Sequence, residues 1–220
     1  RVTSKIGNDL NMNDDYIPIV QKLEQNTMRT MLETSLPFAM TYDTGRFMGA
    51  VVAEGFINET SVIFHNTDTE WIKDILAKFT DTTGIQTHIT EPYINEKSFG
   101  NLPISHGGFH SKKLAAALST QFGKTSHNKT LPGWILSAPL HFIKGLLTAY
   151  FDGDGHVNTN DGHLSIKCHS VSHDLISMIS LCLAMFGIPA YIGTEYYNTP
   201  DKANCIIYRL TIPLAFAQLF

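Results

Sequence analysis

The chain has 220 residues, enough for one substantial core or two small ones, and its 43% hydrophobic content excludes a disordered or fibrous protein. Its longest apolar tract, 134–151, carries His141 and Lys144 and so reads as no membrane span. The net charge of −4 runs against nucleic-acid binding, where Lys and Arg neutralise phosphates, although ten histidines and many Asn, Gln, Thr and Ser could read base edges.

In chain order, residues 1–40 form an N-terminal extension with an amphipathic helix expected at 17–36 behind Asn-rich sequence. It reads equally as a link to another domain, as a DNA-contacting segment or as simple packing. An apolar helix follows, closing at Glu54-Gly55, then an extended piece at 56–58, a turn, and a strand at 61–66. Thr67 or Asp68 caps a helix over 68–82 with Trp71, Ile75, Leu76 and Phe79 inward, and Gly84 ends it. Strands at 85–91 and 103–109 and a helix at 111–122 complete this run. From the apolar helix that closes at Asp154-Gly155 the order recurs. It brings an extended piece at 156–159, an Asn-Asp-Gly turn at 160–162, a strand at 164–170 and a helix at 172–186 stopped by Gly187. Strands at 190–196 and 204–212 and a helix starting at 213 close the chain. Gly84-Ile85 matches Gly187-Ile188, and His65 matches His169.

Cys168, Cys182 and Cys205 have no ligand spacing and predict reduced thiols in an intracellular, cytoplasmic protein. Nothing at the N-terminus resembles a signal peptide, and a start at Arg1 without Met is expected of a piece of a longer product.

The two apolar helices carry the chemistry. Phe47–Gly55 and Leu147–Gly155 both end in an acid followed by glycine, and the acids Glu54 and Asp154 are 100 positions apart. Small residues sit four apart on one face of each: Gly49 and Ala53 in the first, Ala149 and Gly153 in the second. Such faces let two helix backbones come close. Packed together, they would set Glu54 and Asp154 side by side at two helix C-termini, where the macrodipoles are already negative. A hard divalent cation with oxygen ligands would relieve the repulsion. The run Asp152-Gly-Asp-Gly-His-Val-Asn158 is no calcium loop, because Val157 and His163 stand where Gly and Glu are required.

With these residues the chain, over roughly 41–220, resembles the LAGLIDADG (dodecapeptide) homing endonucleases, in their single-chain, two-motif form. The second copy keeps the leading Leu147 and Asp152-Gly153-Asp154-Gly155. The first is looser, with Phe47, Val52 and Glu54 in place of Leu, Asp and Asp. The resemblance implies an α+β fold of two pseudo-twofold αββαββα units, 41–128 and 129–220. Their eight strands would form two saddle-shaped antiparallel sheets around a central pair of packed helices.

It also implies an enzyme, a DNA endonuclease that hydrolyses phosphodiesters with Mg²⁺. Two or more ions would be held by Glu54 and Asp154, with backbone oxygens of Ala53 and Gly153 as further ligands and Mn²⁺ or Ca²⁺ as substitutes in binding. The product would be a double-strand break with short 3′ overhangs at a long site. Asn128-Lys129-Thr130-Leu131-Pro132 resembles the linker of intein-embedded members, which gives Lys129 a catalytic role. The second-half lysine is open between Lys202 and Arg209. No splicing nucleophile and no C-terminal His-Asn dipeptide are present. The partner implied is double-stranded DNA, bound by a monomer. In-out alternation places Ser165, Lys167 and His169 outward on one strand and Ser61, Ile63 and His65 on its counterpart, with Gln86, His88, Thr194, Tyr208 and Arg209 as further DNA-facing residues. The alternatives are a non-catalytic binder on the same fold (an intron RNA maturase or a transcriptional regulator) and a decayed endonuclease. Two retained acids argue against the first, since paired buried carboxylates are costly without a cation.

Overall fold

The computed structural model describes residues 39–94, 103–158, 165–199 and 202–217. The helix expected at 17–36 and the turn at 160–162 lie outside these residues. The first apolar helix, α1 (Tyr42–Glu54), is longer than its motif. It starts at a capping box in which Thr41 and Thr44 each accept the other's backbone N–H, at 3.2 and 2.9 Å. Almost every residue from Thr44 to Ala53 is buried, as a helix apolar all round must be. Its counterpart, α4 (Leu140–Asp154), is buried in the same way.

The two helices cross in backbone contact. A Cβ on Gly45 or Gly49 would strike the carbonyls of Phe142 and Leu146, and one on Gly145 would strike that of Tyr42. The small-residue stripe is therefore one turn longer than Gly49/Ala53 and Ala149/Gly153. Gly55 and Gly155 are not left-handed caps: both are extended, with φ −71° and −85°. They are glycine because a Cβ would come within 2.8 Å of the Val51 Cα and 3.0 Å of the Phe151 Cα. That close approach lets each chain pass from helix into strand with no linker.

Strands β1 (Gly55–Ile57) and β2 (Ser61–Asn66) form the first hairpin, and α2 (Thr69–Thr83) follows. Asp68, of the two N-caps expected, accepts the Trp71 N–H at 3.0 Å, and Gly84 ends the helix at φ 71°. The strand expected at 85–91 is shorter. β3 (Thr87–Ile89) and β4 (Tyr93–Ile94) are two pieces pairing with the same edge of β5 (Pro103–His110), and Thr90 bonds His106 O at 2.8 Å between them. The first sheet thus has five strands, order β1-β2-β5-β3 with β4 also on β5. Helix α3 (Lys112–Phe122) leads through short 3-10 turns at Ser126–Asn128 and Gly133–Ser137 to α4.

The second half repeats the plan with β6 (Gly155–Asn158), β7 (Ser165–Ser170), α5 (His173–Ala184), β8 (Tyr191–Thr199), β9 (Lys202–Pro213) and α6 (Leu214–Ala217). Its sheet has four strands in the order β6-β7-β9-β8. β7 stops opposite Tyr208, while the β8–β9 ladder runs on to Thr199 and Lys202. One core joins both halves. Phe47 stacks on Phe79 at 4.3 Å, Phe79 stacks on Phe109 at 4.5 Å, and Phe142, Ile143, Tyr150, Cys168, Leu210 and Ile212 carry the core into the second half. Among the described residues no helix is long and apolar enough to cross a membrane.

Candidate active site

Glu54 and Asp154 are the last residues of α1 and α4, and the seam of small residues decides how close the helix ends come. At the end of that seam a Cβ on Gly153 would lie 2.8 Å from the Ala53 Cβ, 3.1 Å from Glu54 Cγ and 3.6 Å from Glu54 Oε1. The carboxylate of the first motif therefore rests against the second motif's helix, one residue from Asp154. Asn66, at the end of β2, donates its side-chain N–H to Glu54 Oε1 at 3.2 Å.

The electrostatics follow from that crowding. Burial, and then the neighbouring Glu54 charge, push Asp154 up to about 7, with Lys129 pulling the other way. Burial likewise raises Glu54, again opposed by Lys129. Lys129 itself is lowered by burial, against the attraction of Asp154 and Glu54. Its ammonium donates to the Ala53 carbonyl oxygen at 2.8 Å, across the boundary between the halves. So a lysine at the start of the second half is bonded to the helix end of the first, in reach of both acids. Its bond occupies one lone pair of the Ala53 oxygen that was also expected to face a metal.

Among the described residues no group of three or more His, Cys, Asp and Glu could hold a metal by itself. The two acids do fit a hard divalent cation. They offer oxygen donors only, they carry more negative charge than one lysine neutralises, and they sit where two helix dipoles are negative. Asp152 is turned elsewhere: burial raises it, and the charge of Arg46 on α1 holds it down. Arg46 also pairs with Asp74.

The expected DNA-facing residues divide. On the face of the first sheet opposite the buried Val62, Phe64 and Phe109 stand Ile63 and His65, with His65 paired directly to His106 across β2 and β5. Exposed His88 stacks on His110 at 5.4 Å, and Gln86 is exposed just before β3. Ser61 corrects the expectation. It shares the parity of Ile63 but is only 1% exposed, because it sits at the strand's start, where the turn at Asn58 and the beginning of α3 close over it.

In the second sheet, Ser165, Lys167, His169 and Arg209 lie opposite the core residues Cys168, Leu210 and Ile212, and His156 stacks on His169 at 5.2 Å. Tyr208 is a second correction. Adjacent residues of one strand point to opposite faces, so with Leu210 buried it is Arg209 that faces outward. Tyr208 packs on the core and meets His173 edge-on at 4.9 Å. Thr194, its cross-strand partner, lies on the same side of the sheet but is exposed. Arg209 is not a free cation, since it pairs with Glu195, whose other oxygen is 3.8 Å from His169.

Sequence reasoning missed Gly45, Gly145, Asn66, His106 and Glu195. The first two repeat the four-residue spacing and were visible in principle. The other three come from strand register, which no local pattern states.

Known proteins share parts of this sequence and its fold. Residues 141–215 match the LAGLIDADG-like domain family. Over 182 residues the chain is 35% identical to the DNA-directed RNA polymerase subunit Rpo1C of Methanocaldococcus jannaschii, covering 82% of this chain and 19% of that protein. Over 161 residues it is 27% identical to a DNA gyrase subunit of Mycobacterium gordonae, covering 73% and 28%. The chain thus spans less than a third of either relative. In structure it is similar to the homing endonuclease I-DmoI, with TM-score 0.55 and 12% identity over 82% of this chain and 95% of that one. It is also similar to the N-terminal LAGLIDADG domain of DUF199/WhiA, with TM-score 0.51 and 12% identity over 84% and 86%. The matched family domain lies in the second half, the first half repeats its plan around a second acid-tipped helix, and the chain has the LAGLIDADG fold in a single-chain, two-motif arrangement.

Proposed function

We propose that the chain is a site-specific DNA endonuclease that hydrolyses phosphodiesters with Mg²⁺ and leaves a double-strand break with short 3′ overhangs. The observation that carries this reading is the Glu54 carboxylate resting against Gly153, with Lys129 reaching across to Ala53. Burying two acids beside each other raises both, a cost that a binding scaffold has no need to bear and that a divalent cation removes.

Glu54 and Asp154 would hold the cation, and Asn66 orients Glu54 by its hydrogen bond. A bound Mg²⁺ supplies Lewis-acid stabilisation of the attacking and leaving oxygens. Lys129 places positive charge beside the acids, where a scissile phosphate would bring further negative charge. The outer faces of both sheets present His65, His88, Lys167, His169 and Arg209 to duplex DNA, with specificity from base edges in the major groove and from DNA bending. The crystal structure of I-DmoI in complex with DNA and Mn, similar to this chain at TM-score 0.54 and 11% identity, supports divalent metal and DNA as ligands of this fold.

The relatives suggest how the unit is carried. A polymerase and a gyrase do unrelated work, yet their subunits share this stretch as 19% and 28% of their lengths. That supports an element inserted in other genes, such as an intein, cutting alleles that lack it.

The test mixes the protein with plasmid bearing an uninterrupted host site, in Mg²⁺ or in EDTA. Metal-dependent linearisation that Glu54→Gln and Asp154→Asn abolish is the expected result; cleavage indifferent to both substitutions removes the reading. The looser first motif, with Val52 and Glu54 where the motif has aspartates, favours a second reading, a non-catalytic binder on the same fold such as a transcriptional regulator. That reading expects tight, metal-independent binding with no nicking.

A further inference from the structure

Lys129 is held from behind as well as from the front. Its carbonyl oxygen accepts the Ser172 hydroxyl at 2.6 Å, and the next residue's N–H, from Thr130, bonds Phe122 O at 3.0 Å. Ser172 is the N-cap of α5, with its Oγ accepting from Leu175 N–H at 3.2 Å, and it is 4% exposed. A hydroxyl can do both tasks at once, because it has one proton to give and two lone pairs to receive. The corresponding cap in the first half does only one. Asp68 accepts from Trp71 N–H at the start of α2, and an ionised carboxylate has nothing to donate. Ser111 caps α3 by the same kind of bond, to Leu114 N–H at 3.3 Å.

An aspartate therefore satisfies the capping requirement in this fold, and what serine adds at 172 is the donor aimed at Lys129. A lysine side chain is long and flexible, so a fixed backbone origin decides whether its ammonium meets the Ala53 carbonyl or wanders. We propose that Ser172 is a positioning residue for the acid pair: it caps α5 and, with its one proton, fixes the backbone from which Lys129 reaches into the site. This rests on the reading of Lys129 as the cation serving Glu54 and Asp154.

The capping and donating roles separate by substitution in the full chain. Ser172→Asp keeps an acceptor for Leu175 N–H and loses the donor, Ser172→Thr keeps both, and Ser172→Ala loses both. Two readouts are followed, with helix content by circular dichroism as the check on folding. The first is the rate at which acetic anhydride modifies Lys129, relative to exposed Lys78, with neither metal nor DNA present. The second is kcat and KM for Mg²⁺-dependent cleavage.

The expected result is several-fold faster modification of Lys129 in Ser172→Asp with helix content retained. Its kcat should fall about tenfold with KM for DNA unchanged, because a small displacement of a charged group acts on the reacting state. Ser172→Thr should match the natural protein in both readouts. If Ser172→Asp does not fold, Ser172→Ala, read well below its melting temperature, takes its place. Unaltered Lys129 modification in a folded donor-less variant overturns the proposal, as does a threonine variant that behaves like alanine. Should the natural protein cut no DNA at all, the endonuclease reading fails, while the modification rates still decide whether Ser172 positions Lys129.

Discussion

Replacing Asp154 by asparagine should stabilise the metal-free protein above neutrality while removing its use. In the folded chain Asp154 is pushed from an ordinary value of 3.8 to about 7. Between those two pH values the folded state binds a proton that the unfolded state has released, so stability falls as pH rises through the interval. The gap of about three pH units, at about 1.36 kcal/mol each, sets an upper figure of about 4 kcal/mol above pH 7. The attraction of Lys129 is already inside that figure, because it lowers the value from where burial and Glu54 would place it.

Asparagine has a nearly identical shape and no charge to desolvate. At pH 8 without metal, Asp154→Asn should therefore melt higher, by about 2–4 °C for each kcal/mol recovered in a chain of this length. At pH 3.5, where Asp154 is mostly protonated in both states, the two proteins should melt together. Adding Mg²⁺ at pH 8 should raise the natural protein's melting temperature in a concentration-dependent way and leave the variant nearly unmoved. Thermal scans by circular dichroism at the two pH values, with and without Mg²⁺, measure all three. A variant that melts lower at pH 8, or by an equal amount at both pH values, would mean that Asp154 is not a buried charge opposed by Glu54. The electrostatic argument for a metal would then be lost.

The seam and the sheet faces offer further tests. Gly49→Ala and Gly145→Ala each drive a methyl into an opposing backbone carbonyl, and each should cost about 1–3 kcal/mol in urea unfolding; a neutral result for both would mean the helices are not in backbone contact. His65 and His169 are both lowered from 6.5, first by burial and then by His106 and His156 respectively, so both are uncharged at pH 7.5 and gain charge only as pH falls. DNA binding by fluorescence anisotropy should accordingly tighten and grow steeper in salt between pH 7.5 and 5.5, by about 0.9 in log–log slope per histidine charged on a phosphate. The double variant His65→Ala/His169→Ala should flatten that pH dependence, and an unchanged profile would place these rings away from DNA. Glu195→Gln removes the partner of Arg209 and a charge that raises His169, so it should strengthen non-specific binding at low salt at pH 7.5 and push the histidine's protonation to still lower pH; weaker binding would show that the pair itself makes the contact.

The architecture was readable because its determinants are local and repeated. Two helices with small residues four apart, Asp68 and Ser111 at helix starts, and Gly84 and Gly187 at positive φ all announce themselves in a few consecutive residues. What escaped is what depends on register or on crowding at a strand's end. Tyr208 and Arg209 are neighbours in one strand and cannot both face outward, and the buried Leu210 settles which of them does. Ser61 has outward parity, but the turn at Asn58 and the start of α3 cover it. The break between β3 and β4 has no counterpart in the second half, so the repeat itself was misleading there. At the site, the acids and Lys129 were legible from motif and spacing. Asn66 and Ser172 were not, because an asparagine ending a strand and a serine capping a helix are ordinary there until the fold brings Glu54 and Lys129 against them.

The same geometry explains where this protein can keep its stability. Helices that must bring two acids together have only glycine and alanine to place along their seam, and such residues bury little apolar surface for the backbone they order. The large side chains are accordingly displaced to the flanks. Phe47, Phe79 and Phe109 stack on the first-half side, and Phe142, Ile143 and Tyr150 bury themselves on the other faces of α4. Substitutions at Phe79 and Phe109 should therefore act on folding alone, whereas changes along the seam act on folding and on the separation of the acids together. A seam variant that kept its stability but lost metal-dependent melting would separate those two effects, because the stacked rings of Phe47, Phe79 and Phe109 carry no ionisable group to couple to Glu54 and Asp154.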